Sequence, residues 1–109
     1  MKRYQFHRLE GVESVCGIKQ GSPLKINYVK VKEVSSQDTS HYHPLGQEYY
    51  IYLKGKAILE VEGKHIDAST GDIILVEAGE RHRVLQIIEP VECLVIRTNH
   101  SLGDRIAVE

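Results

Sequence analysis

The stretch HYHPLGQEYYIYLKG, positions 41–55, sets His41 and His43 one residue apart and Glu48 five positions later. Imidazole nitrogen and carboxylate oxygen are donors that transition-metal ions accept, so one reading of this spacing is that the three converge on a shared ion. On an extended chain His41 and His43 project from one face, with Cα atoms about 6.6 Å apart. Glu48 is an odd number of positions from His43, so an unbroken strand would turn it to the opposite face. Pro44 and Gly46 interrupt that run. Proline cannot continue a central strand and glycine permits a sharp reversal. The chain can therefore turn after His43 and start a new strand at Glu48 with its carboxylate facing the same interior. Parity carries Tyr50 and Tyr52 onto that face and Tyr49, Ile51 and Leu53 onto the other. The plainer alternative is a charged, half-buried strand that happens to carry histidines.

The fourth candidate is His82, which follows the turn EAGER at 77–81. Strand parity groups it with Val84, Gln86 and Ile88. Three imidazoles and one carboxylate suit Fe, Mn, Ni, Co, Cu or Zn and are too nitrogen-rich for Mg or Ca. Four protein ligands leave one or two positions open on a six-coordinate ion, where water, O2 or substrate can bind.

The elements that must position these residues read as strands almost throughout. LKINYVKVK (24–32), EYYIYL (48–53), KAILEVEGKHI (56–66), DIILVE (72–77), HRVLQII (82–88) and VECLVIRT (91–98) are β-branched, aromatic or alternating. Glu62-Gly63 splits the third run into a hairpin. Tyr28-Val29 interrupts the alternation of the first and predicts a bulge. Gly21-Ser22-Pro23, Pro44, Gly55, Gly63, Gly71, Gly79 and Pro90 read as turns every eight to twelve positions, a spacing that implies an all-β sandwich or barrel. The best helical candidate is the tail SLGDRIAVE, short and broken by glycine. The first twenty residues alternate poorly and are expected to form an edge strand, one that could be swapped with another chain.

Composition sets the outer limits. At 109 residues the chain is a single domain, 41% apolar and 27% charged, as an ordinary globular protein is. Its 14 basic and 15 acidic residues give a formal net charge of -1, with no electrostatic footprint for nucleic acid or an anionic membrane. No apolar run is long enough to span a bilayer, and MKRYQFHRLEGVESVCG lacks the apolar core of a signal peptide. Cys16 and Cys93 are two isolated thiols in apolar surroundings, expected reduced and buried, which points weakly to a cytoplasmic setting. His7, His65 and His100 have no partner in sequence and read as solvated. Glu77, Glu80, Arg81 and Arg83 read as an exposed charged rim.

Two of these stretches together resemble the cupins. His41, His43, Glu48 and Gly55 match the first cupin motif: H-x-H, four residues, Glu, six residues, Gly. GDIILVEAGERHRVLQ (71–86) is similar to the second, with Gly71, Gly79 and His82 in place. The fifteen intervening residues are the short spacing of small microbial cupins. Three positions depart: Ser35 stands for the opening glycine, Glu77 for a proline and Gln86 for an asparagine. The resemblance implies a cupin-type double-stranded β-helix, a jelly-roll barrel with its core over about 24–98. It also implies a divalent transition metal, Mn, Fe, Ni or Zn, held by His41, His43, Glu48 and His82. Tyr50, Tyr52 and Gln86 would line the substrate pocket, and a homodimer is expected.

Reaction type does not follow from the fold, because small cupins include dioxygenases, isomerases, lyases, decarboxylases and pure binding proteins. One reading is a metal-dependent enzyme acting on a small organic molecule by dioxygenase-type or sugar-isomerase-type chemistry. The alternative is a non-catalytic module that binds a small metabolite or sugar, in keeping with the absence of G-x-S-x-G, C-x-x-C and phosphate-cradling glycine motifs. A third treats the metal as purely structural, which an open coordination position disfavours.

Overall fold

The computed structural model describes residues 1–35, 39–99 and 105–108. Its strands are β1 (Gly11–Cys16), β2 (Lys25–Val31), β3 (His41–Tyr42), β4 (Glu48–Val61), β5 (Lys64–Ser69), β6 (Ile73–Val76), β7 (His82–Arg97) and β8 (Ile106–Ala107). They form one antiparallel sheet in the order β1-β2-β7-β3-β8, with β4 pairing β5, β6 and β7. The sheet curls into the expected all-β jelly roll, the double-stranded β-helix. Side chains of its inner face supply the buried cluster of Tyr52, Ala57, Ala68, Val91 and Cys93.

β4 and β7 organise the fold. They run antiparallel from Glu48 opposite Arg97 at one end to Val61 opposite His82 at the other. The sequence suggested turns at Gly55 and Pro90; both instead lie inside these long strands, which bend there together. Gly55 has a φ of 98°, and a Cβ on it would stand 2.9 Å from Val91 Cα and closer still to the Pro90 carbonyl. Only glycine lets the two backbones approach so nearly. The turn between β5 and β6 clamps the bend. Thr70 N–H donates to Gly55 O, Thr70 Oγ1 accepts from Gly55 N–H, and Gly71 N–H donates to Tyr52 O.

The hairpin at Glu62-Gly63 is present, with φ of 50° and 76°, the two positive values that a type I′ turn requires. The bulge expected at Tyr28-Val29 is not there: β2 pairs β7 without interruption, and the slip falls in β1 between Ser14 and Cys16. The tail forms strand rather than helix where it is described, Ile106 pairing with Tyr42 of β3; residues 101–104 and 109 lie outside the described residues, as does His100. Cys16 and Cys93 are free and buried.

β1 is an edge strand paired with β2 of its own chain, and residues 1–9 return across the outer face of that pair. Phe6 stacks on Tyr28 with ring centroids 5.0 Å apart, and Arg8 Nε donates to Glu92 Oε1 at 2.9 Å. Tyr28 is fully buried and donates its hydroxyl to the same Glu92 oxygen. A buried carboxylate is thus held by one cation and one phenol.

Candidate metal centre

Three elements deliver the four chemistry-bearing side chains. β3 carries His41 and leads into His43; the Pro44–Gly46 break lets β4 start at Glu48; β7 begins with His82. His41 pairs with His82 across the β3–β7 register, so two imidazoles come from adjacent strands. Gly79 N–H donates to His43 O at 2.8 Å, tying the turn before β7 to the backbone of the H-x-H segment. In this turn Glu77 occupies the position that is proline in the motif, and its free N–H is taken by Glu80 Oε1 at 2.7 Å. All four side chains are buried, and one ligand atom from each lies within 4.8 Å of the others.

Hydrogen bonds orient the rings. His41 Nδ1 is 2.8 Å from Thr39 O, and His82 Nδ1 is 3.0 Å from Glu80 O. A carbonyl only accepts, so each Nδ1 carries a proton, which leaves the Nε2 of both rings facing the cluster. His82 Nε2 then meets Glu48 Oε1 at 3.0 Å, and His43 Nε2 stands 3.5 Å from Glu48 Oε2. A ring nitrogen and a carboxylate oxygen so close require a proton or a cation between them. Backbone-anchored imidazoles converging on a carboxylate are the arrangement that metal-binding histidines use, and this donor set fits a transition-metal ion.

Electrostatics agree. Burial pushes the His41 imidazole down to about 4 against the opposing hydrogen bond to Thr39 O, with the charge of Arg105 acting in the same direction as burial, so the ring is neutral near pH 7. Burial alone would raise the Glu48 carboxyl. Hydrogen bonds from His82 and Tyr50 and the charge of Arg97 overturn that and hold it well below the usual carboxylate range. Tyr50 Oη donates to Glu48 Oε1 at 2.6 Å, and Arg97 grips Oε2 through Nη2 and Nε at 2.9 and 3.1 Å. Glu48 therefore stays an oriented anion.

The centre sits on the wall of a cavity of about 340 Å³. Tyr50 and Tyr52 line it, on the face that strand parity assigned to them. Gln86 does not. It is exposed, because the β4–β7 register slips where Ile58 faces Gln86 and Leu59 faces Val84, and Ile87 turns inward in its place. Glu33, Arg97 and Arg105 also line the cavity and were not singled out from the sequence. Arg97 reaches the site only because β7 ends opposite Glu48, a pairing between residues 49 positions apart that no local pattern announces. Arg105 belongs to the tail, where its Nη2 lies 3.3 Å from His41 Nδ1. His65 is exposed, 3.8 Å from Glu60, and His7 is exposed.

Residues 27–97 match the family model of the cupin domain. Among curated proteins, the tetracenomycin polyketide synthase protein TcmJ of Streptomyces glaucescens is 30% identical over 46 residues, 42% of this chain. The match spans 31% of TcmJ, about a third of its length. Among solved structures, Streptomyces Pac13, described as a unique nucleoside dehydratase and also solved with uridine, superposes with a TM-score of 0.73 at 14% identity, covering 97% of this chain and 85% of Pac13. A putative mannose-6-phosphate isomerase from Ralstonia eutropha gives a TM-score of 0.67 at 24% identity, over 86% of this chain and 88% of the other.

Proposed function

The chain belongs to the cupin domain family, and from that premise we propose that it is a metal-dependent enzyme acting on a small organic molecule in its cavity. His41, His43, Glu48 and His82 would hold one divalent transition-metal ion, Mn, Fe, Ni or Zn. The observation that carries this reading is the convergence of four buried donor atoms within 4.8 Å of one another, two of whose residues, His41 and Glu48, line the cavity. When bound, such an ion supplies a Lewis-acid centre for a substrate oxygen.

The chain's own residues then have separable tasks. The Thr39 and Glu80 carbonyls hold two imidazoles in the Nε2-facing tautomer. Arg97 and Tyr50 keep Glu48 ionised and fix both of its oxygens. Tyr52 and the aliphatic lining exclude water and orient the substrate. The names of two structural relatives, a dehydratase and a putative isomerase, favour proton movement at carbon next to oxygen, with dioxygenase-type chemistry as the other arm.

Elemental analysis of protein purified without chelators, followed by a substrate panel under Fe(II) and Mn(II), tests the proposal. About one metal per chain and turnover of one panel member are expected. Inactivity in every metal-loaded form would favour the second reading, a metabolite-binding cupin without turnover. One observation supports that alternative: Glu48 is fully committed, and Glu33, the further carboxylate on the described cavity wall, is exposed. A ligand that raises the melting temperature with no product over hours would establish it.

A further inference from the structure

The registers of β1, β2, β7 and β4 show how polarity is distributed along the inner face. At one level Arg97 lies opposite Glu48, beside the histidine cluster. One level in, Asn27, Val95 and Tyr50 stand side by side on β2, β7 and β4. The next level runs Val12, Val29, Cys93, Tyr52, and beyond it Val31 faces Val91. The cations Arg97 and Arg105 therefore sit at one end with Glu48, and the wall beyond it is mainly apolar, with Asn27 as a polar break, until Glu33, an exposed carboxylate past Val31 at the far end. Val29, Val31, Val84, Ile87 and Val95 pack against the core yet stay only partly buried, because they face the cavity.

That wall discriminates between ligand classes. A sugar hydroxyl pressed against valine gives up its hydrogen bonds to water and receives none. An apolar body gains by the same contact, at roughly 25 cal/mol for each Å² removed from water. At the polar end the two arginines differ. Arg97 is locked on Glu48. Arg105 is exposed along the tail and brings its guanidinium to the cluster edge, 3.3 Å from a His41 nitrogen whose proton already goes to Thr39. Among the described residues no carboxylate is ion-paired with it. A planar cation at the mouth of an apolar slot matches an oxyanion, which a guanidinium can take through paired hydrogen bonds.

We propose that the cavity selects a molecule with an apolar body and a carboxylate-type oxyanion head, the head meeting Arg105 at the edge of the histidine cluster and the body lying along the valine wall. Sugars and phosphosugars are disfavoured. This rests on the proposed function for which end is the reacting one.

The test uses isothermal titration of the metal-loaded full chain with cinnamate, its neutral amide cinnamamide, and glucose 6-phosphate. Cinnamate is expected to bind at least about tenfold tighter than either of the others. Arg105→Gln should abolish the preference for cinnamate over cinnamamide, and Val84→Asn should weaken both by about tenfold with metal content unchanged. The probe contrast on the unmutated chain decides the matter even where the Val84 variant does not fold. Equal or tighter binding of glucose 6-phosphate would overturn the proposal, as would an undiminished preference in Arg105→Gln. Metal content measured on the same samples separates the two readings. Failure of cinnamate in protein carrying a full metal equivalent overturns this inference alone. Failure to take up metal overturns the parent reading, and the same probe contrast on the metal-free chain then judges this one.

Discussion

His82 Nε2 lies 3.0 Å from Glu48 Oε1, although the two residues stand at opposite ends of the ribbon formed by β4 and β7. Straight, the fourteen residues of β4 would separate those ends by about 45 Å. The ribbon closes on itself because it bends at Gly55 against Pro90. Gly55→Ala should therefore injure a site it never touches. We expect a loss of about 3 kcal/mol or more of stability, from a strained φ and a backbone clash, together with reduced metal content. Urea unfolding paired with elemental analysis checks this, and unchanged values for both would refute the account of the bend.

Ligand assignment makes a paired prediction. His82→Ala should weaken metal binding by at least about a hundredfold, since even residues behind the ligands typically matter tenfold or more. His65→Ala, at an exposed ring beside Glu60, should leave the metal content as it is. Equal losses in the two variants would dissolve the cluster as the binding site.

The buried His41 ring predicts the direction of acid sensitivity. Its folded-state value, about 4, lies below the ordinary 6.5. Its contribution to stability is then complete above pH 6.5 and is lost as pH falls toward 4, where the unfolded chain binds a proton that the folded chain resists. Metal retention falls in the same window, because the proton competes for the same lone pair. Chelator-treated protein should show declining urea midpoints between pH 6.5 and 4, with a flatter profile in His41→Gln. Identical slopes would assign the acid sensitivity to other groups.

Cys93 faces the cavity, and burial pushes its thiol up to about 12. At pH 8 the thiolate fraction is about a thousandfold below that of a thiol titrating at 9, so disulfide reagents should label the native chain very slowly and the urea-unfolded chain at an ordinary rate. Rapid labelling of the native protein would show the cavity to be wetter than its lining implies.

The outer face offers a stability test independent of the metal. Arg8→Met strands the buried Glu92 carboxylate with Tyr28 alone, whereas Arg8→Met combined with Glu92→Met removes both charges. The double variant should melt above the single one, since an unmatched buried charge costs more than a missing pair. Melting curves for wild type and the two variants decide the point.

Local chemistry made part of this molecule legible in its sequence. The H-x-H spacing, the Pro44–Gly46 break and the parity of Glu48, Tyr50 and Tyr52 all follow from rules that act over a few residues, and the structure brings those side chains together. Gly55 and Pro90 were misread because a bend shared by two paired strands looks, in either strand alone, like a turn. Gln86 was assigned inward because parity was carried through a register slip that only the β4 partner reveals. Arg97 and Arg105 arrive by pairings across half the chain, and neither has a neighbour in sequence that marks it.

The bent ribbon has a consequence for how the protein would come apart. A cation held at the point where the ends meet acts as the buckle of a hoop, so filling the site and tightening the barrel become one event. Stripping the ion should then loosen amide protons around Glu48 and His82 together while the clamped bend at Tyr52–Gly55 stays closed, a pattern that hydrogen exchange would read strand by strand.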